Sequence, residues 1–309
     1  MIKKYLCLYL FLTVFFAVGC QKNETRFVGN GANESFKIPE KIERIISITP
    51  SNTEIISALG MTERIIAVDQ FSADVEGLSK DVVIVDFLNP DAETIIGLQP
   101  DVVIANSINK MNSTSGPLKS VEDAGVSVIY IRVSSSLEGV MEDVLFIADV
   151  LNVKEKGEDI VLNMKKDIDK IKSIGETITE RKTVYFEVEP APHSVSFGSD
   201  MFLHELITIT GAKNIFEDQK GFFVVNAEEI IARNPDVILS NSAEIADPVA
   251  EIYTREGFEN INAVKNKNIY FIDTNESARP SHNVIKGLKK IAYRVYPAYY
   301  GEYSQESDL

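Results

Sequence analysis

Two histidines and two arginines fall in polar stretches that separate apolar runs: His193, His282, Arg132 and Arg279. A neutral imidazole can ligate a metal axially, and an arginine can grip a carboxylate in bidentate fashion. Phe71, Phe87, Phe197, Phe222 and Phe223 lie in similar stretches and offer flat apolar area. Aromatic surface with a few cationic donors suits a bulky, partly anionic ligand. Core packing would account equally well for each Phe, and a structural ion pair for each Arg. His204 sits in a helical pattern with Phe202, Leu203, Leu206 and Ile207 and reads as structural. Ser51-Asn-Thr-Glu54 reads as a capping box that opens a helix after the first strand. Its N–H groups would point at a ligand oxygen. Glu187 and Glu189, two residues apart, read as a solvated edge or a cleft contact. The histidines lack the spacing of a bare metal site. No phosphate-binding loop and no Gly-x-Ser-x-Gly elbow occurs, so an enzyme is not expected.

These residues need a scaffold. Short β-branched runs at Ile45–Ile48, Ile65–Val68, Val82–Val85, Val102–Ala105 and Val128–Ile131 predict parallel strands buried on both faces. Helical patterns lie between them, at Thr53–Leu59, Ala92–Leu98 and Leu118–Ala124. The pattern is used twice. Glu93 to Ser107 aligns with Glu228 to Ser242, sharing Glu, Ile, Ile, Pro, Asp, Val, Asn and Ser. Glu54 to Gly60 aligns with Glu205 to Gly211, each ending on a glycine suited to a helix C-terminus. The expected fold is α/β, with two Rossmann-like lobes at 40–151 and 182–309, each built on a mainly parallel sheet. Between them, Ile160, Met164, Ile168, Ile171, Ile174 and Ile178 form one apolar stripe. It predicts a long interlobe helix within 152–181 that limits hinging. Ligands of open α/β sheets bind beyond the carboxyl ends of the strands, which places the candidate residues around one interlobe cleft.

Among the 309 residues, Asp and Glu outnumber Lys and Arg by 46 to 31. That balance argues against a nucleic-acid partner. The only cysteines, Cys7 and Cys20, stand in the first twenty residues, so the body has no disulfide framework. Lys3-Lys4, an apolar run to Phe16, and Ala17-Val-Gly-Cys20 have the layout of a signal peptide over 1–19. Cys20 at the junction resembles a lipobox cysteine, which would be lipidated and anchor the chain to a membrane. An ordinary signal peptide or an uncleaved anchor are the alternatives. Residues 20–39, polar and without apolar period, read as a flexible tether.

Five segments together resemble the class III solute-binding proteins of ABC importers, which carry ferric siderophores, haem and cobalamin. They are Arg44 to Glu54, Asn89 to Ile104, Gly211 to Phe216, Asn226 to Ile238 and Ala278 to Ser281. The match spans about 40–300, and Thr49-Pro-Ser-Asn-Thr-Glu54 is particularly similar to the cobalamin-binding branch. The resemblance implies an extracytoplasmic, monomeric lipoprotein without a cofactor. It would capture an iron complex (siderophore or haem) or cobalamin for a permease and its ATPase. It further implies that Glu93 and Glu228 dock onto permease arginines. Ser51, Phe71, Phe87, Arg132, His193, Phe222, Arg279 and His282 are the expected ligand contacts, with His193 and His282 the candidate axial ligands. Two departures bear on the ligand: there is no Trp, and Arg279-Pro-Ser-His-Asn283 has Asn where a second Arg is usual. A small-oxyanion binder such as a molybdate receptor, a surface interaction protein and, last, a secreted hydrolase are the rival readings.

Overall fold

The computed structural model describes residues 24–29, 35–110 and 116–305. Cys20 and the segment 1–19 lie outside the described residues.

The first described element corrects the sequence reading. Within the span read as tether, β1 (Thr25–Gly29) and β2 (Ser35–Pro39) pair antiparallel. Val28 and Ile38 are buried, and the Phe36 ring meets Phe146 at 6.0 Å. Each strand commits only one or two side chains inward, so a polar composition hides the alternation.

The N-terminal lobe follows with β3 (Ile45–Ser47), α1 (Pro50–Ala58), β4 (Ile65–Asp69), β5 (Val83–Val85) and α2 (Ala92–Gly97). It continues with β6 (Val102–Asn106), α3 (Lys119–Asp123), β7 (Ser127–Ile131) and α4 (Leu137–Val150). The five strands β3 to β7 form one parallel sheet, ordered β5-β4-β3-β6-β7. Period-two alternation splits each strand between two cores: Val102 and Ile104 face one way, Val103 and Ala105 the other. The hairpin covers the β7 edge, where Ser127 Oγ donates to the Lys37 carbonyl at 2.9 Å. An uncovered edge would be a pairing hazard.

The helix α5 (Lys154–Gly175) links the lobes. Val161, Met164 and Ile171 are buried along it, with Ile160, Ile168 and Ile174 partly so. The helix ends before the stripe that predicted it does, and Ile178 is buried beyond its end. Gly175 packs backbone to backbone against Gly211, where a Cβ would come within 2.4 Å of the Ile209 carbonyl.

The C-terminal lobe contains β8 (Thr183–Glu187), β9 (Val195–Phe197), α6 (Phe202–Ile209), β10 (Lys213–Asn214), β11 (Phe222–Val224) and α7 (Ala227–Arg233). Then come β12 (Val237–Ser240), α8 (Pro248–Tyr253), α9 (Asn262–Lys265), β13 (Ile269–Phe271), α10 (Thr274–Ser277) and α11 (Val284–Val295). Its parallel sheet runs β10-β8-β12-β13. β9 and β11, in stretches read as loops, form a separate antiparallel ribbon.

The two lobes repeat each other in space as in sequence. β3-β6-β7 corresponds to β8-β12-β13. The repeated Pro-Asp has a structural duty in both copies. Asp101 accepts from the Glu43 and Arg44 amides at 2.7 and 2.9 Å, and Asp236 from the Thr183 amide at 3.0 Å. Each aspartate pins the start of its lobe's first strand. One apolar core runs without a break from α1 and α4 through α5 to α6 and α11. Parting the lobes on that side would expose apolar surface to water, which opposes wide hinging.

Candidate functional site

The N-lobe rim is built around Asp69. Its carboxylate accepts from the Thr49 amide at 2.8 Å, the Phe71 amide at 2.9 Å and the Ser72 hydroxyl. That arrangement turns the Phe71 ring outward, 57% exposed, edge-on to Phe87 at 6.1 Å. Gln70 accepts from the Phe87 amide at 3.0 Å, and Asn109 donates to its carbonyl at 2.6 Å. On the C-lobe, Phe222 is 52% exposed on β11 and meets the buried Phe197 edge-on at 6.5 Å. Phe71 thus stands just past the carboxyl end of β4, whereas Phe222 stands on the separate β9–β11 ribbon of the other lobe.

Arg279 is placed differently from the expectation. Its guanidinium donates to Glu54 at 2.9 Å, to Asp74 at 3.0 and 3.1 Å, and to the Phe71 carbonyl at 3.0 Å. All three partners belong to the opposite lobe. Arg279 is thus engaged in an ion-pair cluster between the lobes, the alternative that the sequence left open.

Ser51 is buried inside α1 and does not cap it. The cap residue is Thr49, with no side-chain cap bond. Pro50 at the first helical position sets the start two residues earlier than the capping-box pattern implies. Glu54 therefore reaches to Arg279 rather than back along its own helix. Thr49 was missed by the sequence reading. Its φ of 141° is strained for a β-branched residue, and its buried hydroxyl has no partner. The Pro that follows it was the only signal.

His282 and Arg279 line one interlobe cavity of about 450 Å³ with Glu54, Asp74, Asn275 and Lys286. Phe71 joins them through its carbonyl. Arg132 is exposed and borders a different recess, with Glu142, Phe146 and Asp149 of the α4 region. His193 is exposed in the connection between β8 and β9. The Glu187 carboxylate, read as an edge or cleft group, is buried in an ion pair with Arg255 at 2.6 and 2.9 Å. Among the described residues, no group of three or more His, Cys, Asp or Glu is placed to hold a metal ion.

Burial, helped by the Lys286 charge, lowers the His282 pKa to about 4, so its imidazole is neutral at pH 7. Its Nδ1 is buried without a partner. Unfolding restores the ordinary value of 6.5, so between these values the unfolded chain binds the extra proton. This contribution to stability is whole above pH 6.5 and is lost as pH falls towards 4. It amounts to roughly 2–3 kcal/mol. Asp143 acts in the reverse sense. Burial raises it to about 7, against the Ser134 hydrogen bond and the Arg132 charge. Its cost therefore appears as pH rises from 3.8. The wild type minus His282→Gln difference in unfolding free energy isolates the histidine. That difference is expected to fall by about 2 kcal/mol from pH 7 to pH 4; a flat difference contradicts the burial of this imidazole.

Glu93 and Glu228 occupy equivalent, exposed positions, each two residues after a side-chain cap. Asp91 accepts from Thr94 and Asn226 from Glu229, both at 2.8 Å.

Residues 45–276 match the family described as Periplasmic binding protein. The chain is 30% identical to the Bacillus subtilis protein named as the uncharacterized ABC transporter substrate-binding lipoprotein YvrC, over 87% of this chain and 85% of that one. It is 24% identical to the vitamin B12-binding protein of Vibrio campbellii, over 81% and 88% respectively. Among solved structures, a Staphylococcus epidermidis protein described as a possible iron-binding (periplasmic solute-binding) protein superposes with a TM-score of 0.73. It is 32% identical, covering 83% of this chain and all of that one. Two related α/β lobes and a connecting helix accord with these likenesses, and the chain belongs to the periplasmic binding protein family.

Proposed function

We propose that this protein is the extracytoplasmic receptor of an ABC importer and captures a metal-chelate nutrient, a corrinoid or haem rather than an anionic siderophore. One observation carries the choice of ligand. Aromatic surface is exposed on both lobes at Phe71 and Phe222, whereas Arg279 already spends its donors on Glu54, Asp74 and Phe71. A strongly anionic chelate needs free guanidinium groups. A planar macrocycle needs flat apolar walls and a few polar contacts. The name of the Vibrio relative, a vitamin B12-binding protein, supports a corrinoid, and the description of the Staphylococcus structure supports an iron-bearing ligand without choosing its type.

Binding does no covalent chemistry in this reading. The exposed His193 and the cavity-lining His282 would be the candidate axial ligands. Cys20 would carry the lipid that holds the receptor to its membrane, and permease and ATPase would complete the importer. Glu93 and Glu228, one per lobe, would be the permease contacts.

The test is a titration with cyanocobalamin, haemin and a set of ferric siderophores, followed by absorbance and melting temperature. A ligand at a hundred times its Kd stabilises the folded state by about 2.7 kcal/mol. That corresponds to a melting shift of roughly 5–10 °C. One macrocycle is expected to give a saturable spectral change with that shift. A siderophore giving it instead would overturn the macrocycle choice, and silence from every member would overturn the metal-chelate reading.

A further inference from the structure

The aligned segments Glu54 to Gly60 and Glu205 to Gly211 place one glutamate at the same point of each lobe's first long helix, α1 and α6. Both carboxylates leave their own lobe. Glu54 accepts from Arg279, from the Ser281 hydroxyl and from Asn283 Nδ2 at 3.0 Å. Asn283 is the residue that opens α11. Glu205 accepts from the Leu137 amide at 3.0 Å, and Leu137 is the first residue of α4. α4 and α11 are the last long helices of the two sheet repeats. Each glutamate thus sits at the N-terminus of the other lobe's closing helix.

The chemistry favours the arrangement. The first amides of a helix have no partner within it. Glu205 meets one of these amides, that of Leu137, and gains from both the hydrogen bond and the helix dipole, whereas Glu54 takes the side chains of Arg279, Ser281 and Asn283. The two halves differ in strength. Glu54 is 6% exposed and is neutralised by Arg279, whereas Glu205 is half-buried with one bond across.

We infer that Glu54 and Glu205 are positioning residues, a reciprocal pair of cross-lobe clamps that set the angle between the lobes and so the width of the cleft. The inference goes beyond the proposed function and does not depend on which ligand is carried.

Hydrogen–deuterium exchange on the full chain tests it, with Glu54→Ala, Glu205→Ala and the matching Gln variants. A clamp predicts effects in the lobe that was not mutated. Glu205→Ala should speed exchange of the Leu137 amide at least tenfold, with α6 unchanged. Glu54→Ala frees the Ser281 hydroxyl, which accepts from the Asn283 amide at 3.2 Å, and should speed exchange of that amide. Glutamine, which keeps an acceptor oxygen, should restore most of the protection at Leu137. Small-angle scattering on Glu54→Ala/Glu205→Ala should show a broader distribution of interlobe distances than wild type. Exchange changes confined to the mutated lobe, or an unaltered scattering profile, would overturn the inference. If Glu54→Ala fails to fold, Glu205→Ala and its glutamine counterpart decide the matter alone, because Glu205 is not a buried charge.

Discussion

Glu93→Arg combined with Glu228→Arg is expected to abolish import of the ligand while leaving its affinity in solution within twofold. Both side chains are exposed, and both stand at the start of a helix whose cap is another residue. Folding therefore should not depend on them. On the proposed docking role, each meets a permease arginine. Reversal turns two attractions into two repulsions, and like charges facing across an interface cost several kcal/mol. A loss of about 100-fold or more in uptake follows from two such contacts. Uptake of labelled ligand by cells carrying the variant is the measurement, with a binding titration on the purified protein as control. Each single reversal should give an intermediate loss, since one lobe remains correctly docked. Wild-type uptake in the double variant would remove these glutamates from the permease contact. Lost ligand affinity would point instead to a damaged lobe.

The largest expected effect on stability lies elsewhere, at Arg255. Its guanidinium is 9% exposed, bonded to Glu187 and Glu251, and lies over the Phe258 ring at 5.4 Å. Glu187 is 1% exposed and also accepts from Tyr185 at 3.1 Å and Ser194 at 3.3 Å. Arg255→Met strands a buried carboxylate, which costs about 3–5 kcal/mol. The melting temperature should fall by roughly 10 °C. Glu187→Gln added to Arg255→Met removes the stranded charge, while an amide can still serve Tyr185 and Ser194. The double variant should recover most of the loss, because a buried ion pair contributes little net stability once its desolvation is counted. Thermal denaturation of the three variants checks this. A double variant as unstable as Arg255→Met would mean that guanidinium packing on Phe258, not charge, holds the site.

The hairpin β1–β2 shows where sequence periodicity loses its force. Its two strands carry few apolar residues, and their inward set, Val28 and Ile38, is too small to stand out from a polar stretch. It folds because the β7 edge and the α4 surface receive it. Arg26 donates to the Asp149 and Val150 carbonyls at 2.5 and 2.8 Å, capping the helix end that the hairpin covers. The central parallel strands of the N-lobe, by contrast, read directly as β-branched runs, since burial on both faces keeps their interiors apolar, whereas the edge strand β5, expected to be buried on both faces, exposes Ile84.

The α/β class, the internal repeat, the amphipathic helix between the lobes and the family are all legible in the order of the residues. Each of these rests on periodicity or on motifs local to a few turns of chain. The same order also marked the stretches at the carboxyl ends of β4 and β5, where Phe71 and Phe87 emerge. Only the tertiary structure decided which of the polar residues meet. Arg279 finds Glu54 and Asp74 from more than 200 residues away, and Arg255 finds Glu187 from 68. Arg132 and Arg279 look alike in sequence, yet one is exposed beside α4 and the other is fixed between the lobes. A charged side chain's role depends on the partner that compensates its burial. That partner is a property of how the two lobes are set against each other, which no local pattern encodes.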